Sequence, residues 1–307
     1  MNKIECFKIR LYQSNELDLA NLDFTHPLYD VNFGAGSFSG NPVIIVADPF
    51  LFVHKNRLYL FYEEKTLHNP GIIKMVYTDD LKIWSQPVTV LEENYHLSYP
   101  YVFEENGSIY MIPETGAAKS IRVYEADDES LTHFTYKQTL VKESVDEKDV
   151  TGSFCDSSII KQNGCFYLHT TIVKNQINTL RLYVAKSLFG PYELHPNNPE
   201  LADNKYGRNG GSVISHNNNL YRIAQDCVSR YGDNIHLFQI DELNEDLYKE
   251  HLIKDYIYSP NSVFHHDGGH QLNICKFRDS YVIATDAKEY HKMLGARIVY
   301  RLKTILS

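Results

Sequence analysis

The chain has 307 residues, 43% of them hydrophobic, with 30 basic and 39 acidic side chains and a formal charge of −9. This is ample apolar material for a core, and no basic run is long enough to follow a phosphate backbone, which excludes nucleic acid as a partner. Five scattered cysteines (Cys6, Cys155, Cys165, Cys227, Cys275) form no CxxC pair, which excludes a zinc knuckle or redox motif and predicts buried thiols in a reducing compartment.

Met1 to Arg10 carries charges and no apolar h-region, so no signal peptide is expected. Residues 1–40 are expected to form a strand and a loop packed on the main body. Cys6 to Tyr12 alternates as a strand does and is placed as closing the last repeat. Phe33 to Asn41 is Gly/Ser-rich and is placed as a loop near a channel mouth. The longest apolar stretch, Val43 to Val53, is interrupted by Asp48-Pro49 and is too short to span a bilayer. A cytoplasmic protein without a membrane span is expected.

Residues 41–307 repeat. Asp48 leads to Tyr59, Tyr99 to Tyr110, Asp156 to Tyr167, Gly210 to Tyr221 and His270 to Tyr281, each pair eleven residues apart, and the units recur every 51 to 60 residues. Such a period marks a solenoid or propeller. Within each unit an apolar run, a turn and a second apolar run follow one another. The turns are His54-Lys55-Asn56-Arg57, Glu105-Asn106-Gly107, Gln162-Asn163-Gly164, Asn217-Asn218-Asn219 and Arg278-Asp279. Asn and Gly tolerate the positive φ of tight hairpin turns, so these read as β-hairpins. Third strands are expected at Ile73–Tyr77, Ile121–Glu125, Leu180–Val184, Ile235–Gln239 and Arg297–Tyr300. Fourth strands are expected at Val88–Leu91, Thr135–Val141 and Tyr248–Ile253. Sustained helical periodicity is almost absent, so helices should be few and short. The fold predicted is all-β, a five-bladed β-propeller in which first strands line a central channel and equivalent positions converge.

The first-strand column is Asp48, Tyr99, Asp156, Gly210 and His270. A charged residue leading a buried strand carries a desolvation cost and is kept when it is paired or functional. Asp48 and Asp156 come from units one and three and flank the axis, as the two carboxyls of glycoside cleavage do. The bland alternative is that each caps a turn. Fifteen residues further on lies a second column of Glu63, Glu114, Thr171, Gln225 and Thr285, with Asp226 and Asp286 one place later. Glu63 and Glu114 end their strands and either face the same mouth or form salt-bridged rim pairs. His96, Arg208 and His270 complete the expected rim, Arg208 being suited to a bidentate grip on a carboxylate or phosphate. Tyr99, Tyr101 and Tyr231 are expected to offer faces to a sugar ring, and Trp84 to pack between blades.

Ala47-Asp48-Pro49-Phe50, Asp156 and Gly269-His270 resemble the five-bladed propellers of glycoside hydrolase families 43 and 32. More specific strings are His96-Leu97-Ser98-Tyr99-Pro100, Tyr110-Met111-Ile112-Pro113-Glu114-Thr115, Gly190-Pro191-Tyr192 with His195-Pro196-Asn197-Asn198-Pro199, and Tyr221-Arg222-Ile223-Ala224-Gln225-Asp226-Cys227. These resemble the N-terminal domain of glucosamine inositolphosphorylceramide transferases, over about residues 40–290. That domain also occurs beside sugar formyltransferase-like modules, and in the plant-type enzymes the assigned transferase module is a separate C-terminal domain. The family 43 resemblance implies Asp48 as general base, Asp156 as orienting and pKa-tuning carboxylate, and a calcium or water on the axis near His270. It departs in the fourth blade, where Arg208-Asn209-Gly210-Gly211 stands in place of the general-acid glutamate.

The expectation is therefore a carbohydrate-active propeller in surface glycan or glycolipid biosynthesis. It acts by transfer or hydrolysis on an activated or acidic sugar at the channel mouth. Asp48, Asp156 and Glu114 are the catalytic candidates. Glu63, His96, Tyr99, Arg208, Gln225, Asp226, Tyr231 and His270 are the substrate-binding candidates. The partners expected are a sugar, nucleotide sugar or glycan, with a partner glycosyltransferase or formyltransferase. The rival is a non-catalytic glycan-binding or scaffold module.

Overall fold

The computed structural model describes residues 3–34, 40–142, 153–199 and 201–292. In chain order its strands are β1 (Ile4–Ser14), β2 (Pro27–Val31), β3 (Val43–His54), β4 (Arg57–Thr66), β5 (Ile72–Thr78), β6 (Val88–Leu91), β7 (Ser98–Glu105), β8 (Ser108–Glu114), β9 (Ser120–Ala126), β10 (Phe134–Lys142), β11 (Ser153–Gln162), β12 (Cys165–Lys174), β13 (Ile177–Ala185), β14 (Glu193–Leu194), β15 (Arg208–Asn209), β16 (Ile214–His216), β17 (Asn219–Asp226), β18 (Asn234–Leu243), β19 (Tyr248–Lys254), β20 (Leu272–Phe277) and β21 (Ser280–His291). They form five antiparallel sheets, the blades of a five-bladed β-propeller. Among the described residues the only helix is one 3-10 turn at Gly116–Ala118, and none is long and apolar enough to cross a membrane.

Blades one to three are β3–β6, β7–β10 and β11–β14. Blade four is β15 to β19, its inner strand broken into β15 and β16, both paired to β17. Blade five runs β20-β21-β1-β2, so the first and last described strands in sequence, β1 and β21, pair in one sheet and lock the ring. The third place in this blade, beside β21, belongs to β1, which pairs with it from Ile4↔His291 to Ser14↔Tyr281. The strand expected at Arg297–Tyr300 lies outside the described residues, as does most of the Phe33–Asn41 loop.

The hairpins form for the reason the sequence suggests. Lys55/Asn56, Asn106/Gly107, Asn163/Gly164 and Asn217/Asn218 all have positive φ, the geometry that matches strand twist in two-residue turns. Between blades the side chains interleave. Phe61 and Met75 of blade one meet Tyr99 and Phe134 of blade two. Blade two meets blade three through Ile112, Phe154 and Leu168. Blades three and four share Tyr167, Leu182, Ile240 and Tyr248. Blades four and five share Ile223, Leu237, Leu272 and Ile283, and Leu11, Leu60 and Val282 close the ring between five and one. Each fully buried side chain of this kind contributes about 1.5–3 kcal/mol, so the ring is held by its interfaces. Trp84 stacks on Tyr29 of blade five at 4.2 Å, in line with its expected packing role.

Candidate functional site

One backbone device builds the site. In the inner strands of blades one, two and three the register with the second strand slips at the same place, between Ala47 and Phe50, Ser98 and Tyr101, and Cys155 and Ser158. Each slip is a β-bulge, and its first residue is left-handed: Asp48 at φ 54°, Tyr99 at 48° and Asp156 at 51°. Proline follows in two of the three bulges, where no ladder N–H is needed. Bulges of this kind re-aim side chains, and left-handed non-glycine residues cluster at functional sites. Here they turn Asp48 and Asp156 toward the axis.

Around Asp48 the partners are fixed. Its Oδ2 accepts the Tyr99 backbone N–H at 3.0 Å, and its Oδ1 lies 3.4 Å from His270 Nε2. His270 Nδ1 is 2.7 Å from Asp286 Oδ2, an ion-pair contact not aligned as a hydrogen bond. Asp286 also accepts backbone N–H groups from His270 at 2.8 Å, Gln271 at 3.1 Å and Asp48 at 3.2 Å. Burial pushes the Asp48 carboxyl up to about 6 although His270 pulls the other way. Burial alone would lower His270, but Asp286 and Asp48 hold it above its ordinary value.

Across the mouth Arg208 Nε lies 2.7 Å from Asp156 Oδ2, and its NH2 lies 4.0 Å from Glu114 Oε2. Gln225 Nε2 donates to the Asn209 carbonyl at 2.7 Å and reaches Asp156 Oδ2 at 3.5 Å. Asn209 Nδ2 donates to the Asp156 carbonyl, which ties the broken strand of blade four to blade three. The Cys155 thiol donates to the Ser153 carbonyl at 3.8 Å. Burial, with Asp156 adding to it, pushes Glu114 up to about 8 against the opposing pull of Arg208. Glu63 is only 5% exposed. Burial, then Asp48, hold it well above the carboxylate range. Its Oε1 has no hydrogen-bond partner and sits 3.6 Å from His96 Nε2. His96 Nδ1 accepts the Gly71 N–H at 2.9 Å, and burial lowers the ring to about 4.

Asp48, Asp156, Glu114, Glu63, Arg208, His270 and His96 thus share one neighbourhood, and the fields of Asp48, Asp156 and Glu114 overlap. Three expectations do not survive. The Tyr99 ring is fully buried and packs edge-on to Phe50 at 4.7 Å, so its backbone N–H serves the site and its face cannot meet a sugar. Tyr101 likewise stacks on Phe103 and donates to the Ile159 carbonyl, between blades. Asp226 turns from the mouth: it accepts the Val228 N–H at 2.9 Å and lies 3.6 Å from His236, fixing the loop before β18. That loop carries Tyr231, which is 38% exposed and lies 5.0 Å beneath the Arg208 guanidinium and 5.1 Å from the His270 ring. One face of Tyr231 is therefore taken by Arg208.

Asp48, Glu63, Glu114, Asp156 and Asp286 gather at the mouth with Arg208 and His270, both of which are engaged by carboxylates. Asp286, Asn209 and Phe7, none of them among the site candidates of the sequence, join the site, the Phe7 ring packing 4.7 Å from His270. Asp286 was legible as the residue one place beyond the second column. Nothing in the sequence marked Phe7. Asp48, His270 and Asp286 could hold a cation, with one ligand atom each and all within 4.8 Å of one another. Calcium takes six to eight oxygens, so this set would need water or substrate oxygens to complete a shell. A cleft of about 490 Å³ at the hairpin end of blades three and four, lined by Asn163 and Asn218, holds none of these residues.

Residues 25–285 match the family described as glucosamine inositolphosphorylceramide transferase 1, N-terminal. The chain is 34% identical over 223 residues to glucosamine inositolphosphorylceramide transferase 1 of Oryza sativa subsp. japonica, a stretch that covers 69% of this chain and 28% of that protein. It is 32% identical over 220 residues to the protein of the same name in Arabidopsis thaliana, with the same coverage of 69% and 28%. Among solved structures, Zg3597, a family 117 glycoside hydrolase from Zobellia galactanivorans, superposes with a TM-score of 0.57 at 12% identity, over 91% of this chain and 90% of that one. At that identity the likeness is one of fold.

Proposed function

The chain belongs to the family of glucosamine inositolphosphorylceramide transferase N-terminal domains, and from that premise we propose that it acts on a sugar held at the axial mouth, by glycosyl transfer or hydrolysis, in building a surface glycan or glycolipid. One observation carries the reading. Two carboxyls of the same mouth are held in different ranges, Asp48 at about 6 and Glu114 at about 8. Paired titratable groups pushed apart in this way mark a base and an acid.

In this reading Asp48, ionised near neutrality, takes the proton from the attacking hydroxyl of water or an acceptor. Glu114, still protonated, gives its proton to the departing oxygen as the glycosidic bond breaks. Arg208, anchored on Asp156, faces Glu114 and limits how far its pKa can rise. Asp286 fixes His270, whose charge keeps Asp48 from rising further. A water is the more fitting occupant of the axis beside His270, because a single imidazole and two carboxylates are few for calcium. Turnover would show a bell with limbs near 6 and 8.

A second reading is favoured by one feature. The inner strand of blade four offers Arg208 and Gly210, and no carboxyl, at the place where the resembled hydrolases carry their acid. That suits a glycan-binding module serving a partner glycosyltransferase or formyltransferase. A panel of aryl glycosides and nucleotide sugars separates the two. Turnover that falls by at least roughly 10²-fold in Asp48→Asn, with sugar binding retained, supports the enzyme. Sugar binding with no turnover of any member by the unaltered chain gives the site to the binding module.

A further inference from the structure

We propose that Lys288 is a positioning residue of the axial mouth: its buried ammonium holds the backbone carbonyl of Tyr231 and so sets the Tyr231 ring against Arg208 and His270. The inference rests on the sugar reading above for what the mouth serves, and on the structure alone for the contact.

β21 sends Asp286 and Lys288 from one face, two residues apart, as the period of a strand requires. Asp286 holds His270. Lys288 is wholly buried, at 0% exposure. Its register partner on β1 is Phe7, so both leave the strand pair on the same side, and the Phe7 ring packs on His270. Lys288 Nζ donates to the Tyr231 carbonyl and lies 3.3 Å from Glu5 Oε1. Within 4.0 Å Glu5 is its one carboxylate among the described residues, and the Glu5 side chain is 39% exposed. Burial lowers the ammonium, and Glu5 opposes the fall.

Lysine is almost never fully buried unless it is well paired, and an apolar side chain of similar volume is often neutral or stabilising in such a place. The framework therefore has little need of this charge. The mouth has a use for it. Tyr231 stands at the tip of the loop between β17 and β18. Asp226 fixes the foot of that loop, accepting the Val228 N–H through its side chain and the Asp233 N–H through its carbonyl, both at 2.9 Å. Gly232 seats the tip: it is left-handed at φ 60°, and a Cβ there would lie 2.8 Å from the His270 Cβ. Lys288 reaches in from blade five and adds the bond to Tyr231 itself. The ring then lies 5.0 Å beneath the Arg208 guanidinium and meets the His270 ring edge-on at 5.1 Å. A tip that shifts takes the support from both.

Lys288→Met in the full chain tests this. Its stability in urea at pH 7 should hold or rise, because Glu5 is exposed enough to return to water. The imidazole proton signals of His270 should move by NMR as the tyrosine ring leaves, and the amides of Val228–Asp233 should exchange faster. Binding or turnover of 4-nitrophenyl glycosides and nucleotide sugars should fall at least roughly tenfold, since small misplacements of positioned groups are costly. Tyr231→Ala should show the same fall, and the double variant no further one, as when one residue acts through another. Lost stability with His270 and the sugars unmoved makes Lys288 part of the framework and overturns the proposal, as do losses that add in the double variant. If Lys288→Met does not fold, Gly232→Ala takes its place, with the lysine kept and no room for the loop on His270. An unmoved His270 signal and unchanged sugar binding in that variant overturn the proposal. If the unaltered chain takes none of these sugars while His270 moves as expected in Lys288→Met, the positioning role stands and the sugar reading falls.

Discussion

Blade four buries two arginines, and they are held in opposite ways. Arg222 grips Glu250 with two parallel bonds, Nε to Oε2 at 2.7 Å and NH2 to Oε1 at 2.6 Å, while its NH1 donates to the Tyr206 carbonyl and the Tyr248 hydroxyl donates to Glu250. Burial alone would raise Glu250, yet Arg222 draws it below the ordinary carboxylate range. Arg208 touches Asp156 through one nitrogen out of hydrogen-bond alignment and stands off from Glu114, which stays near 8. The first pair is closed and belongs to the framework. The second is open, with proton and donor capacity left for something else. A buried charge network that leaves its own groups unsatisfied is where chemistry can occur.

The comparison is most exposed to a direct removal. Arg222→Met should cost about 3–5 kcal/mol in urea unfolding at pH 7, because Glu250 is left charged and buried. Arg208→Met should cost less, about 1–3 kcal/mol, because Asp156 and Glu114 sit at a mouth where a proton can replace the guanidinium. In that variant Glu114 should titrate higher than about 8 by carboxyl carbon NMR, since the Arg208 charge opposes its rise. Equal costs for the two substitutions would erase the distinction between a closed and an open network.

How much of this the sequence carried depends on the residue. The Asn-Gly turns and the eleven-residue spacing to a tyrosine are local signals, and they gave the blades and the column. The column told which residues share a level along the axis. It did not tell where a bulged side chain goes. Asp48, Tyr99 and Asp156 have nearly the same φ, yet the two carboxylates face the mouth and the tyrosine ring enters the apolar seam beside Phe50. Chemistry at the bulge, not its backbone, made that choice. Arg208 is suited by sequence to grip a carboxylate of a ligand, but its partner is Asp156 of this chain, 52 positions away in another blade. Asp286 draws its importance from three backbone N–H groups that no side-chain pattern encodes.

The smallest expected effect concerns pH. Glu114 ionises near its ordinary 4.5 in the unfolded chain but near 8 when folded. The folded state therefore holds the extra proton between those values. Its contribution to stability is whole below 4.5 and is lost as pH rises through 8. Asp48 does the same between 3.8 and about 6. Buried histidines act the other way: burial lowers His96 to about 4 and His169 and His265 to about 3 from 6.5, so their contribution is whole above 6.5 and fades as pH falls. Below 6.5 the two sets oppose each other. From 6.5 to 8 the lowered histidines are silent, while the raised carboxyls Glu114 and Glu63 and the raised His270 all lose their contribution as pH rises. The ligand-free protein should accordingly lose roughly 2 kcal/mol over that window in chemical unfolding at fixed ionic strength. Glu114→Gln, neutral at every pH, should lessen the loss, leaving the share of Glu63 and His270, whereas Glu250→Gln should leave its slope unchanged because Glu250 is already ionised at both ends of the window. A slope untouched by Glu114→Gln would mean that the open network does not hold its proton, and the contrast with Arg222 and Glu250 would then rest on geometry alone.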